Sequence, residues 1–317
     1  MAFEVIGSHS TYKGKPLKDT SELIGTYVDD ITNDDYHADK SFFSSSQLKK
    51  AIDSPYEFLH KVLISPEQLD RSQMDNALDW GTLVHCLVLE PHMFDKEFAI
   101  MSTVDEDGKK RDFRKKEHKD FKKEFIEENK GKLILTDKAL AKAKKAIKNV
   151  KAYPLSNLMM TVAGRPELSG YFKESTTGLL LRFRPDKLID GNSEAIRELN
   201  KLLERDSDSS FIIDVKTTQN ISKQAFKKDA KYKFNYDLSA HMYLQGHKEV
   251  TGEEIKDFYF LCIQNSYPFS VAVYKASDEL LSEGKVKYEK ALNNTMIALD
   301  SKQKKKTLNY QTVVQEI

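Results

Sequence analysis

This sequence is poor in the residues that mark disulfide-rich, iron–sulfur and membrane proteins. Its 317 residues include two cysteines, Cys86 and Cys262, each within an apolar run. Two cysteines are too few for a four-cysteine zinc or iron–sulfur site, and they indicate buried thiols of a cytosolic protein. No apolar run approaches the roughly 18 residues of a transmembrane helix, and the N-terminus has no signal-peptide core. We therefore expect a soluble, cytoplasmic protein with no membrane partner.

An excess of charge of either sign is also missing. Lysine and arginine total 50 and aspartate and glutamate 49, so the net charge is +1. Global charge thus predicts no polyanionic partner, and a nucleic-acid surface would need local clusters. The hydrophobic fraction of 39% suffices for one large domain or two small ones. We predict an N-terminal extension over 1–40, a domain over 41–300 that is mainly helical to 155 and sheet-containing from 156, and a tail over 301–317.

The first half of the predicted domain has helical periodicity. An apolar stretch over 77–89 predicts a mostly buried helix that contains His85. A single histidine in such a helix is usually a hydrogen-bonded core residue. The charge-rich stretch over 105–132 has Arg111 and Arg114 in its basic first part. It indicates either a solvated loop and helix or a segment that contacts phosphates.

Strand patterns begin near residue 167. The segment 178–189 predicts one strand with Arg182, Arg184 and Asp186 on the same face. Pro185 indicates an irregularity or a strand end, where the following acid can point into a site. About twenty polar residues then intervene, and a capped apolar pattern over 193–203 predicts a helix inserted at the tip of a hairpin.

The next predicted strand, over residues 210–218, contains an acid and a lysine that could act together. Three apolar residues precede Asp214, Val215 and Lys216. Alternate side chains of a strand share a face, so Asp214 and Lys216 project together while Val215 points away. An acid and a lysine at the end of an apolar strand can hold a divalent cation and position an attacking water. The same pair can equally be a strand-end ion pair without function.

A helical segment over 222–248 follows, in which lysines such as Lys223 alternate with aromatic residues. This pattern is typical of a nucleic-acid surface, although a helix buried on one face gives it too. Strands over 258–264 and 269–274 and a helix over 277–299 complete the prediction.

Pro185-Asp186 followed by Asp214-Val215-Lys216 matches the PD-(D/E)xK signature of metal-dependent nucleases. Over about residues 35 to 300 the sequence resembles exodeoxyribonuclease VIII, the RecE-type nuclease. The matching residues occur in the order of that family: Asp35 to Ala38, Ser46-Gln47-Leu48 with Pro55, Gly81-Thr82 with His85 to Pro91, Thr177-Gly178, Arg184 to Lys187, and Asp214 to Thr218.

The resemblance implies an α/β restriction-endonuclease-like (PD-(D/E)xK) core, a mixed central sheet flanked by helices. It makes Asp186 and Asp214 metal ligands, with the Val215 carbonyl as a further ligand. Lys216 becomes the catalytic lysine, and His85 a ligand or a helper of the transition state. The expected cofactor is Mg²⁺, with Mn²⁺ as a possible substitute.

Other residues of the resemblance have less defined roles. Glu167 is expected either to be structural or to contact the metal ligands without binding the metal itself. The family usually has a glutamine where this sequence has Ser239, and Gln245 or His241 could substitute for it. The insertion over 190–209 also departs from the short hairpin of the family, and we expect it to project away from the metals. Candidate DNA contacts are Arg111, Arg114, Arg182, Arg184, Thr217 and Lys223.

The implied activity is exonucleolytic degradation of linear double-stranded DNA. By resemblance it runs 5′ to 3′ and leaves 3′ single strands for an annealing recombinase, and the protein forms a ring of three or four copies. Two alternatives stay open: a structure- or sequence-specific endonuclease on the same core, and a non-catalytic DNA-binding protein. The joint presence of His85, Asp186, Asp214 and Lys216 argues against the second.

Overall fold

The computed structural model describes residues 5–6, 20–29, 31–64, 77–191, 196–305 and 308. Eleven strands in this part of the chain form a five-stranded, a four-stranded and a two-stranded sheet. The strands are β1 Val5–Ile6, β2 Thr26–Val28, β3 Phe98–Met101, β4 Leu133–Thr136, β5 Arg165–Pro166, β6 Ser169–Lys173, β7 Leu180–Phe183, β8 Lys187–Ile189, β9 Phe211–Thr218, β10 Phe258–Gln264 and β11 Val271–Lys275.

Helices cover these sheets. They are α1 Asn33–Ala38, α2 Ser45–Leu48, α3 Pro55–Phe58, α4 Ala77–Leu89, α5 Phe94–Glu97, α6 Lys116–Glu128, α7 Asp137–Ala152, α8 Pro154–Thr161, α9 Arg197–Leu202, α10 Lys223–Lys228, α11 Tyr236–Thr251 and α12 Asp278–Gln303. Side chains of Thr136 and Ser277 cap α7 and α12 by accepting backbone hydrogen bonds. Residues 193–195, the first three of the predicted helix over 193–203, lie outside the described residues. None of the described helices has the length and apolar composition needed to cross a membrane.

The central sheet has the order β11-β10-β9-β8-β5. Strand β9 runs parallel to β10 and antiparallel to β8, so the sheet is mixed. Its position between two partners explains the apolar run that leads into Asp214, because both faces of a central strand are covered. The predicted α/β fold, a mixed sheet flanked by helices, is confirmed.

Side-chain alternation along β9 divides the interior into two clusters. Ile213 and Val215 face a cluster that includes residues of α4 and α7. Ile212 faces the other cluster, which includes residues of α11 and α12. Asp214 and Lys216 share the parity of Ile212, and they therefore project on the α11 side of the sheet.

The predicted long strand over 178–189 is divided at Pro185 into two strands of different sheets. β7 pairs with β6 in the four-stranded sheet, whereas β8 pairs with β9 in the central sheet. Because proline cannot donate to a sheet ladder, the chain can leave one sheet here and enter the other. Asp186 lies at this transition.

The insertion between β8 and β9 packs into the domain. Ile196 and Leu199 are fully buried in the α4 and α7 cluster. The Arg205 side chain is 1% exposed, and its Nε lies 2.7 Å from Oδ2 of Asp257. The insertion leaves the hairpin at the end opposite Asp186, as expected. It does not project from the surface, however, because its apolar residues complete the core.

Part of the expected N-terminal extension is integral to the fold. Strand β2 pairs with β6, and its Tyr27 and Val28 are fully buried. Elements without a counterpart in the sequence prediction include β3, β4, α5 and α8. Both cysteines are buried, as predicted.

Candidate active site

His85 reaches the site on α4, and the position of that helix depends on Gly81. A β-carbon on Gly81 would lie 3.2 Å from Oγ1 of Thr217 in β9, which is tighter than ordinary van der Waals contact. The missing side chain lets the helix pack directly on the end of the central strand. His85 follows one turn later on the same face. Its Nδ1 lies 3.5 Å from Oδ2 of Asp186.

Asp186 follows the strand break and points toward β9. Its Oδ2 accepts a hydrogen bond of 2.5 Å from the backbone N–H of Val215. The N–H and C=O of one strand residue point to the same edge, so the Val215 carbonyl also faces this side. Strand β8 pairs with β9 only from Lys187 opposite Ile213 onward. The Val215 carbonyl therefore lies outside that ladder, where it can serve as a ligand.

Glu167 lies closer to Asp186 than the sequence indicated. Its backbone N–H donates to the Asp186 carbonyl at 3.2 Å and extends the β5–β8 pairing. Its φ of 50° is a left-handed conformation, which costs an L-residue about 1–2 kcal/mol. One ligand atom from each of His85, Glu167 and Asp186 lies within 4.8 Å of the others. We call these three residues the acid–histidine group.

Asp214 and Lys216 form an ion pair on one face of β9, as the strand alternation predicts. Nζ of Lys216 lies 2.5 Å from Oδ2 of Asp214 and 3.4 Å from the Val215 carbonyl oxygen. Burial disfavours the ammonium, but the charges of Asp214 and Asp186 outweigh it and raise the pKa of Lys216. The lysine therefore remains a protonated hydrogen-bond donor.

Two carboxylates that neighbour Asp186 have raised pKa values. Burial and then the charge of Asp186 raise the pKa of Glu167. Burial also raises the pKa of Asp214, where Lys216 opposes the rise and Asp186 adds to it. Crowded acids of this kind hold surplus negative charge that a bound cation would neutralise.

The donor set fits a divalent cation such as Mg²⁺ or Mn²⁺, because carboxylate and carbonyl oxygens suit both ions and imidazole suits first-row transition metals. Within the described residues, the acid–histidine group is the compact set of such donors. Asp214, expected as a ligand, is outside this set, and its Oδ2 is held by Lys216. Glu167 thus joins His85 and Asp186 as a candidate ligand, and the expected ligand role of Asp214 stays a prediction.

Two expected DNA contacts are buried and structural. Arg182 is 2% exposed, and its Nη1 donates to the carbonyl of Asp39 at 2.6 Å. Arg184 donates from Nε to Oγ of Ser169 at 2.8 Å and lies 3.9 Å from the ring centroid of Tyr36. Both guanidinium groups hold the α1 region against the four-stranded sheet. This corrects the prediction that they contact DNA.

The other four candidates differ in accessibility. Arg111 is partly buried and lies 3.8 Å from the ring centroid of Phe121. Arg114 has a 91% exposed side chain, and Lys223 is exposed at the start of α10. Thr217 is partly exposed beside Gly81. DNA contacts by these residues stay predictions.

The two suggested replacements for the family glutamine, Gln245 and His241, contact neighbouring helix residues. Gln245 donates to Glu249 at 2.8 Å, one turn along α11. His241 packs edge-on against Tyr288 of α12, with ring centroids 5.4 Å apart. Ser239 itself is buried in the first turns of α11. Its role stays open between packing and support of the site.

Two residues near the site were missed by sequence reasoning. Lys187 is 5% exposed and donates to three carbonyls at the C-terminal end of α8. These acceptors are the carbonyls of Met159, Met160 and Val162. Lys187 thereby anchors the strand that begins directly after Asp186, and that adjacency was the only sequence signal.

The ring of Tyr236 lies 5.0 Å from Nζ of Lys216, a contact that no local pattern indicates.

Comparison with known protein families identifies the family of the chain. The family described as "PDDEXK-like domain of unknown function (DUF3799)" matches residues 44–199 and 204–307. The chain belongs to this family. The matched ranges of the PDDEXK-like domain contain the acid–histidine group, Asp214 and Lys216. The match supports the PD-(D/E)xK assignment and does not distinguish the RecE type within it.

One solved structure with a similar fold is a presumed exonuclease from Eubacterium rectale. It aligns with this PDDEXK-like chain at a TM-score of 0.53 and 15% identity, covering 86% of this chain and 87% of the other. At this identity the likeness concerns the fold alone. A comparison with curated proteins gives no significant match.

Proposed function

We propose that this protein is a divalent-metal-dependent deoxyribonuclease that degrades linear double-stranded DNA from its ends. The observation that carries the proposal is the acid–histidine group, with ligand atoms within 4.8 Å of one another, beside the Asp214–Lys216 ion pair. Clustered metal donors next to a protonated lysine match the needs of phosphodiester hydrolysis, which are charge neutralisation and an oriented water.

Each group of residues has its own role in the proposed reaction. The acid–histidine group and the Val215 carbonyl would hold the cation, and Asp214 would orient Lys216. A cation at this place polarises the phosphate and lowers the pKa of water. Lys216 keeps its proton at Nζ and donates hydrogen bonds to the attacking water and to the phosphate. The water oxygen bonds to phosphorus and gives up a proton to solvent, the P–O bond to the departing nucleotide breaks, and the released oxygen takes up a proton from solvent.

Action on DNA ends is supported by the resemblance to RecE-type nucleases and by the name of the structural neighbour. On the same basis we propose cleavage from 5′ to 3′, with a 3′ single strand passed to an annealing recombinase. A ring of three or four copies is part of the proposal, and a basic channel inside a neutral exterior would suit the net charge of +1. Mg²⁺ is the proposed cofactor, with Mn²⁺ as a substitute.

Linear and closed-circular duplexes, incubated with Mg²⁺, test the proposal. The wild type should degrade the linear duplex and leave the circle intact, and Asp186→Asn should degrade neither DNA. Cleavage of the closed circle by the wild type, and not by Asp186→Asn, would replace the exonuclease with an endonuclease on the same site. Equal activity in Asp186→Asn would place the active site elsewhere.

A further inference from the structure

Lys49 lies close to the proposed active site without an ion-pair partner among the described residues. It begins a 3₁₀ turn, Lys49–Ala51, directly after α2 and is partly buried. Among the residues that the structure describes, neither a carboxylate nor a hydrogen-bond acceptor pairs with its Nζ. Nζ lies instead 5.2 Å from the centroid of the Tyr236 ring, which Lys216 also approaches.

The charges around Lys49 favour a bound anion. Burial and then the charge of Lys216 lower the pKa of Lys49 to about 7. Asp214 and Asp237 oppose this shift, but they are paired with Lys216 and Lys287 at 2.5 and 2.7 Å. A partly buried cation beside another cation is unfavourable unless an anion compensates it. A phosphate of the DNA strand that enters the site has the required charge.

Phe234 is an exposed aromatic residue at the same place, and Nζ of Lys233 lies 4.9 Å from its ring centroid. Its ring stacks on Tyr236, with centroids 5.2 Å apart and an angle of 15° between the planes. The residue is 39% exposed. Tyr236 therefore contacts both the exposed ring of Phe234 and Lys216, the lysine of the ion pair with Asp214. Aromatic faces beside cations are typical of sites that bind single-stranded nucleic acid.

We propose that Lys49, Tyr236 and Phe234 form a nucleotide shelf, which holds the nucleotide adjacent to the scissile phosphate. Lys49 binds the phosphate of that nucleotide, and its base stacks on Phe234. The shelf rests on the proposed function, because it positions the strand that is cut. A base can stack there only when it is unpaired, so the shelf binds a single-stranded end or an opened end of a duplex.

Binding without cleavage tests the shelf directly. A linear duplex with 2-aminopurine in its terminal nucleotides is titrated with full-length protein in EDTA, and fluorescence reports stacking of the base. Wild-type protein should quench the probe. Phe234→Ala should abolish the quenching and weaken binding of a single-stranded end about tenfold, which is within the range of one base–aromatic stack. Lys49→Gln should weaken binding and reduce the salt dependence by about one counter-ion, and Lys49→Arg should restore both.

Matched controls come from the opposite side of the central sheet. Tyr153, directly after α7, is 44% exposed, and Lys151, two residues earlier, is also exposed. Tyr153→Ala and Lys151→Gln should leave quenching and affinity unchanged. If Phe234→Ala fails to fold by circular dichroism, Phe234→Leu keeps the apolar contact with Tyr236 and removes the stacking ring.

The outcomes separate the shelf from the proposed function. Quenching and affinity that are unchanged in both Lys49→Gln and Phe234→Ala overturn the shelf, even if the wild type degrades DNA in Mg²⁺. Quenching that depends on both residues supports the shelf, even if the wild type does not hydrolyse DNA, in which case only the proposed function fails. In an active enzyme, Lys49→Gln should raise KM more than it lowers kcat, because Lys49 positions the strand.

Discussion

The backbone N–H of Val215 donates a 2.5 Å hydrogen bond to Oδ2 of Asp186, just beyond the point where β8 stops pairing with β9. A backbone donor holds the carboxylate in place without depending on a side-chain rotamer. Helix α4 brings His85 from one side of the sheet, and Asp214 with Lys216 projects from the other. Asp186 therefore lies where the two halves of the site meet.

Asp186→Asn should abolish metal-dependent hydrolysis. Asparagine keeps the size of the side chain and can still accept from Val215, but it loses the charge that a cation needs. We expect a loss of at least about a thousandfold in rate, which corresponds to about 4 kcal/mol, and weaker Mn²⁺ binding by calorimetry. Asp208→Asn, at an exposed position of the insertion, is the control and should retain full activity.

Glu167→Gln and Asp214→Asn should have different effects on metal binding. Glu167 belongs to the acid–histidine group, whereas Asp214 is held by Lys216. Glu167→Gln should therefore lower Mn²⁺ affinity about tenfold or more, while Asp214→Asn should mainly lower turnover through the lysine. Calorimetry with Mn²⁺ compares the affinities. The reverse order of effects would restore Asp214 as the main ligand.

Gly81→Ala should reduce activity more than stability. Alanine favours a helix over glycine by up to about 1 kcal/mol, which offsets part of the cost of its 3.2 Å contact with Oγ1 of Thr217. The helix must shift to relieve that contact, and His85 shifts with it. We expect about a tenfold loss of kcat, recovered in part by Gly81→Ala with Thr217→Ala. No recovery in the double variant would mean that the contact with Thr217 is not the cause.

Arg184→Ala should act on stability, whereas Lys223→Ala should act on DNA binding. Removal of Arg184 leaves the buried hydroxyl of Ser169 without its donor, at a cost of about 1–3 kcal/mol in the free energy of unfolding. Lys223 is exposed, so its loss should change that free energy by less than about 0.5 kcal/mol. Urea unfolding and DNA titration measure the two effects. Normal stability of Arg184→Ala would contradict its structural role.

His241 should make the protein less stable in acid. Burial and then Lys285 lower the pKa of His241 to about 4, whereas an unfolded histidine titrates near about 6.5. Between these values the unfolded chain binds a proton that the folded chain does not, so the free energy of unfolding falls as pH falls through this window. The loss should be about 1–3 kcal/mol. Urea unfolding at several pH values should show a shallower slope for His241→Gln and an unchanged slope for the exposed His92→Gln.

Local signals predicted several elements with the observed bounds. The helix over 77–89 and the strand over 258–264 are α4 and β10. Each has a long, strongly apolar run, and the helix is followed by Glu90-Pro91, which ends it. The segment over 178–189 was predicted as one strand because its alternation continues across Pro185. Membership in two different sheets depends on partners elsewhere in the chain, and no local period reports them.

The sequence by itself determined that the chain is PD-(D/E)xK-like and supplied its candidate site residues, because ordered motifs such as Arg184-Pro185-Asp186 and Asp214-Val215-Lys216 can be read without knowledge of the fold. Only the tertiary structure decided how those side chains are used. It buried Arg182 and Arg184, brought Glu167 beside Asp186, and set Lys49 and Lys216 against one tyrosine ring. These contacts join residues that are distant along the chain, and the packing of two sheets and their helices brings them together.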